Sequence, residues 1–123
     1  MLMLNHQDTN AQARIGFSKA EIRGEFSNPK YNLISDITDD GDPFIGITTT
    51  NTITFFYFNN NGYCNLSIII PKNQQALNKL VQTYNSKYAV NSSKSWTAYI
   101  DGGVLHISLK LFKEGGYAFY WYE

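Results

Sequence analysis

Two periodicities run along this chain, one near 3.6 residues and one of 2, and they divide it into helices and strands. The helical period occurs twice. Ser18-Lys19-Ala20-Glu21 has the form of a capping box, in which the Ser18 hydroxyl and the Glu21 carboxylate each satisfy a free amide of the first turn. Phe17 and Ile22 stand at the positions of a hydrophobic staple, and Ile22 and Phe26 share one face. Gly24 weakens this helix and Pro29 stops it, so it is two to three turns long. A second helix is predicted from an Asn73 N-cap to about Tyr88, with Leu77, Leu80, Val81, Tyr84 and Tyr88 in one apolar stripe.

The remaining pattern is extended. Tyr31 to Ile37 and Phe44 to Thr50 read as strands around a surface turn at Asp39, Asp40, Gly41 and Asp42. Thr52 to Phe58 and Tyr63 to Ile70 form a hairpin about Asn61-Gly62, a type I′ signal. That turn pairs Tyr57 with Leu66, Phe55 with Ile68 and Ile53 with Ile70. This face is apolar throughout and is expected to enter the core, leaving Phe56 and Phe58 beside Asn65 and Ser67 on the other. After a polar loop from Asn91 to Ser95, a second hairpin turns at Gly102-Gly103. It sets Ile100 against Leu105, Ala98 against Ile107 and Trp96 against Leu109. A three-residue loop, Glu114-Gly115-Gly116, leads to a last strand from Tyr117 to Tyr122, with Phe119 facing Leu111 and Trp121 facing Leu109. The expected fold is α+β: an antiparallel meander sheet of about six to seven strands with two helices, in the order helix, strands, helix, strands. Residues 1–15 are polar after the first four and are expected to be a flexible arm; residues 16–123 form the single α+β domain.

Composition agrees with a folded domain. The 123 residues are 43% hydrophobic and 15% aromatic, with ten basic and ten acidic side chains. Zero net charge argues against nonspecific nucleic-acid binding, which draws on a basic excess to displace counterions. Cys64 is the single cysteine, so an intrachain disulfide is impossible. Met1 to Leu4 is too short for a signal-peptide core, and no apolar run approaches the roughly 20 residues of a membrane span. A cytoplasmic protein, and an exported or periplasmic one with its signal already removed, both fit.

Candidate chemistry is sparse. His6 and His106 lack the neighbouring carboxylates of a metal site. Cys64 reads as a core thiol, because a nucleophile needs a base and a positive environment. The Asp39–Asp42 turn lacks the spaced oxygen ligands of a calcium loop. No nucleophile elbow, phosphate loop or zinc-protease helix occurs. The expectation is therefore no catalytic residue, no cofactor and no metal. One surface stands out: the register turns Tyr99, His106, Lys110, Tyr120 and Tyr122 outward, with Thr97 and Ser108 among them. Tyrosine gives broad contact area at low entropy cost and is enriched in interfaces. The alternative is that a helix of the same chain covers this face.

The stretch Gly16-Phe17-Ser18-Lys19-Ala20-Glu21-Ile22, followed by Phe26 and Pro29, resembles the opening of small bacterial BamE-like and β-lactamase-inhibitor-protein-like domains. Those domains place a Gly-Pro turn where Asn28-Pro29 stands here. The later Phe-Tyr-Phe strand, Asn-Gly turn, long helix and Trp-bearing hairpin resemble exported proteins of the Bacteroidetes type. The resemblance implies a non-enzymatic binding or scaffolding module of the bacterial cell envelope, acting through a protein–protein surface or by self-association. The other reading is a small-molecule or carbohydrate-binding domain that uses the exposed aromatics.

Overall fold

A computed structural model describes residues 13–112 and 115–123. The fold is α+β, with two α-helices and one antiparallel sheet. The sheet has eight strands rather than six or seven: β1 (Ile34–Ile37), β2 (Pro43–Thr48), β3 (Thr52–Phe58), β4 (Cys64–Pro71), β5 (Ala89–Ser92), β6 (Ser95–Ile100), β7 (Gly103–Leu111) and β8 (Tyr117–Tyr122). Helix α1 (Lys19–Glu25) precedes the first four strands and α2 (Gln74–Lys87) the last four. The strand order is β1-β2-β3-β4-β8-β7-β6-β5. Two four-stranded meanders thus meet at a central β4–β8 seam, where Leu66 pairs with Tyr122 and Ile69 with Phe119.

The unexpected strand is β5, whose second half falls in the polar loop expected from Asn91 to Ser95. All four of its residues are exposed, so burial imposes no alternation on its sequence. Both edge strands are short, fully exposed and polar or irregular; β1 carries Asp36 and β5 a register break after Val90. These features discourage edge-to-edge pairing.

Helix α1 starts as its sequence dictates. The Ser18 hydroxyl accepts from the Glu21 amide at 3.2 Å and the Glu21 carboxylate accepts from the Ser18 amide at 2.8 Å. In α2, the Asn73 side chain accepts from the Ala76 amide at 2.8 Å. The stripe from Leu77 to Tyr88 packs on the sheet around Tyr84, Trp96, Phe119 and Trp121. Ile22 of α1 and its C-cap residue Phe26 pack beside it on Ile45, Ile47, Phe56 and Phe58. Both helices therefore lie on the same sheet face.

Of the arm expected over 1–15, residues 1–12 (with His6) lie outside the described residues, and the remainder is not free. Ala13 and Arg14 are buried. The Ser67 hydroxyl donates to the Ala13 carbonyl, and Gly16 and Phe17 exchange backbone hydrogen bonds with Cys64, each 2.7 Å. Arg14 forms a two-point ion pair with Glu25 and lies over the rings of Phe17 and Phe26. This strap fixes the entry to α1 against the start of β4.

Turn details differ from expectation while the faces of the last three strands hold. The β3–β4 connection is the three-residue loop Asn60-Asn61-Gly62. Asn59 accepts from the Gly62 amide, and Gly62 alone there is left-handed, at φ 85°. This is the three-residue geometry and not type I′, which needs two positive φ values. An extra residue at Asn65 then restores the expected pairs, Tyr57 with Leu66 and Phe55 with Ile68. In the second hairpin Ile100 pairs with Gly103, Ala98 with Leu105 and Trp96 with Ile107. Phe119 pairs with Leu109 and Trp121 with Ile107. Each register is shifted by two residues, which preserves which side chains share a face. Of the expected Glu114-Gly115-Gly116 loop, Glu114 lies outside the described residues. Gly115 is left-handed, and Phe112 donates to the Gly116 carbonyl.

Candidate functional site

The larger correction concerns burial in β3 and β4. Phe55, Leu66 and Ile68 are on the face away from both helices, while Phe56, Phe58, Ser67 and Ile69 are beneath them. Continuity across the seam decides this. Ser67 pairs with Trp121 and Ile69 with Phe119, and both aromatics are fully buried around Tyr84 of α2. Ser67 is small enough to sit beside the indole. The alternation of β3 and β4 is therefore tied to that of β8.

The opposite face is uncovered by any helix among the described residues. Its C-terminal half holds the expected residues. His106 pairs with Tyr122, Ser108 with Tyr120, and Tyr99 with Val104. Tyr99 is the most open of the large hydrophobic side chains among the described residues, 75% exposed. The Tyr122 hydroxyl shares a 2.9 Å hydrogen bond with Ser108, and its ring lies 5.6 Å from that of His106. The Lys110 ammonium stands 5.1 Å above the Tyr120 ring, a cation–π contact. The structure thus brings Tyr120, Tyr122, His106 and Lys110 into one patch on adjacent strands, with Tyr99 beyond it on β6.

Sequence reasoning missed the other half of this surface. Across the seam from Tyr120 and Tyr122 come Ile68 and Leu66, then Phe55 and Tyr57, then Gly46 and Phe44. The Phe44 ring is 5.8 Å from Phe55 and 5.9 Å from Tyr57. Gly46 permits this: a Cβ there would lie 3.0 Å from the Phe55 ring, so the phenyl group leans across β2 in its place. Desolvation, with smaller repulsion from Tyr120 and Asp42, pushes the Tyr57 phenol above its ordinary value, so it stays a neutral hydrogen-bonding group. The face therefore grades from aliphatic and phenyl groups over β2–β4 to tyrosines interleaved with hydroxyl, imidazole and ammonium groups over β8–β6. Neighbouring side chains shelter one another, leaving most of them half-buried and Ile68 at the centre only 6% exposed, which is how so much apolar surface is held without a second layer.

Cys64 lies on the covered face beside Phe58, with its Sγ 3.6 Å from the Leu66 carbonyl and 3.5 Å from the Ser67 hydroxyl. Burial pushes its thiol up, which suppresses the thiolate. Asp39, Asp40 and Asp42 form the β1–β2 turn, closed by Thr38 accepting from the Gly41 and Asp42 amides. No group of three or more His, Cys, Asp or Glu among the described residues is arranged to hold a metal ion. No helix among them is long and apolar enough to cross a membrane.

No protein-family model matches the chain, and no curated protein or solved structure matches it significantly.

Proposed function

We propose that this protein is a non-enzymatic binding module that engages a protein partner through the uncovered sheet face. The observation that carries the reading is the surface formed by Phe44, Phe55, Tyr57 and Leu66 together with Tyr120 and Tyr122, packed around a buried Ile68, over which neither helix lies. Apolar patches of this kind on a sheet, bordered by polar groups, mark interaction surfaces. Its tyrosine-rich half offers ring area together with hydroxyl donors and acceptors, which fits a protein surface that is itself part apolar and part hydrogen-bonding. The resemblance of residues 16–29 to cell-envelope domains extends the reading to a scaffolding role at the bacterial envelope.

The test is a photo-crosslinking side chain at position 99, compared with one at Gln82 on the exposed side of α2. Crosslinking is repeated in a Tyr99→Ser, Tyr120→Ser background with the crosslinker moved to Lys110. The reading requires protein adducts from the sheet face that are lost in the double variant and absent at position 82. Sedimentation velocity of the purified chain separates self-association from capture of another protein. Equal adducts from both faces, or adducts that survive the double substitution, overturn the reading; binding of oligosaccharide in place of protein would transfer the surface to carbohydrate recognition.

A further inference from the structure

The helix-bearing face has a gap. The core beneath the helices falls into two clusters, one centred on Tyr84 and one on Phe26 and Phe56. Between them the inner row of β3 changes from Phe56 and Phe58 to Thr54 and Thr52. Above these threonines lies a cleft of about 420 Å³, walled by Phe26 and Tyr31 on one side and α2 on the other. That volume lies within the roughly 300–1,000 Å³ of small-molecule sites.

Three features give the cleft a chemistry. Ile47 and Leu80 supply apolar lining. Lys79, Thr83 and Lys87 also line it, at i, i+4 and i+8 of α2, so they form one row along its rim, with the two lysines about 12 Å apart along the helix axis. Neither lysine has an ion-pair partner among the described residues, and no described carboxylate lines the cleft. Lastly, Thr54 lines the floor of the cleft, and its hydroxyl makes no hydrogen bond among the described residues, which leaves it open toward the cleft. Thr52, beside it, is satisfied by a 2.8 Å bond to Thr49.

We infer that this cleft binds a small organic anion with an extended apolar body. The body lies against Ile47 and Leu80, the anionic group meets the Lys79–Lys87 rim, and the Thr54 hydroxyl meets a polar atom of the ligand. This site is on the opposite side of the sheet from the protein-binding face and is independent of it.

Decanoate is the probe, with decanol and decyltrimethylammonium as neutral and cationic counterparts, followed by calorimetry and by methyl and amide NMR shifts. Saturable decanoate binding is expected, with Ile47, Thr54, Leu80 and Thr83 shifting and Phe55 and Tyr57 unmoved. Decyltrimethylammonium should bind at least roughly tenfold more weakly, the loss of one favourable charge contact. Lys79→Gln with Lys87→Gln, both at helix-rim positions, should abolish the preference for decanoate over decanol. Thr54→Val should weaken decanoate binding while leaving the protein as stable or more so. The inference is overturned if decanoate does not saturate below about 1 mM, if the three probes bind alike, if shifts map to the uncovered face, or if the lysine variants keep the anion preference.

Discussion

Phe56 and Phe55 are neighbours in β3 with the same side chain and different surroundings. Phe56 is fully buried, stacked 5.9 Å from Phe26 of α1 and flanked by Ile45 and Ser67 on the adjoining strands. Phe55 is half-buried, resting on the backbone of Gly46 and the edge of Phe44, with solvent on its outer side. Helices close over the first row, and only lateral packing shelters the second. The difference separates two settings for apolar surface: one row is sealed under the helices, and the other, the more hydrophobic of the two, keeps part of its area in solvent. A half-buried phenyl group on a sheet contributes to stability through its neighbours and still retains area to offer to an interface.

The strongest way to break this comparison is to truncate both rings. Phe56→Ala should cost about 3–5 kcal/mol, with its cavity under α1, whereas Phe55→Ala should cost about 1–2 kcal/mol because part of its area is never removed from water. Equal losses in denaturant titrations would erase the distinction between the faces.

Cys64 reports on the covered face without a large change. Thiol labelling in the native state should be at least about a hundredfold slower than in the unfolded chain, equivalent to an opening free energy of about 2.7 kcal/mol. Rapid native labelling would show that the layer over β4 opens freely.

Tyr84 sharpens the same contrast through pH. Its burial among Trp96, Phe119 and Trp121 pushes the phenol far above its ordinary 10.0, and the Trp121 indole donates to its oxygen at 3.3 Å. A raised folded-state value means the native state holds the proton more tightly than the unfolded one. Its contribution is therefore fully present below pH 10 and lost as pH climbs beyond it. Stability should fall above about pH 10, and Tyr84→Phe should reduce that fall while costing about 1–2 kcal/mol at neutral pH, from the indole N–H it leaves unpaired. Unfolding titrations at pH 7 and over pH 9–11 measure both; an alkaline limb unchanged in the variant would place the titrating group elsewhere.

The smallest effect is expected on the uncovered face. Tyr99→Ser with Tyr120→Ser should leave stability within about 1 kcal/mol, because Tyr99 is exposed and Tyr120 is only partly buried. A larger loss, with association unchanged, would make these tyrosines part of the framework instead of a recognition surface.

The chain announces its locally determined parts and is silent where the answer depends on distant partners. The capping box at Ser18, the Asn73 cap and the α2 stripe are set by residues within a few positions of one another, and they were legible. The outward placement of Tyr99, His106, Lys110, Tyr120 and Tyr122 was legible too, because Leu105, Ile107, Leu109 and Leu111 alternate with polar neighbours, although Leu111 at the strand end is itself 63% exposed. In β3 and β4 both rows are apolar, and Thr52, Thr54 and Ser67 make the buried row the more polar one. Period 2 alone then selects the wrong side. The deciding pairing, Ser67 with Trp121 and Ile69 with Phe119, joins strands from the two different meanders, so nothing near Phe55 signals it. Strand β5 was hidden because no burial shapes an exposed edge.

The position of β8 has a consequence for how the protein is made. The last strand in sequence closes the middle of the sheet, between β4 and β7. During synthesis the first meander emerges well before Tyr117–Tyr122, so the Leu66–Ile69 edge of β4 must wait for its partner. An unpaired, apolar strand edge is a template for joining other chains. A nascent chain halted before Tyr117 would thus be a sticky half-sheet, and the emergence of β8 is the event that seals it.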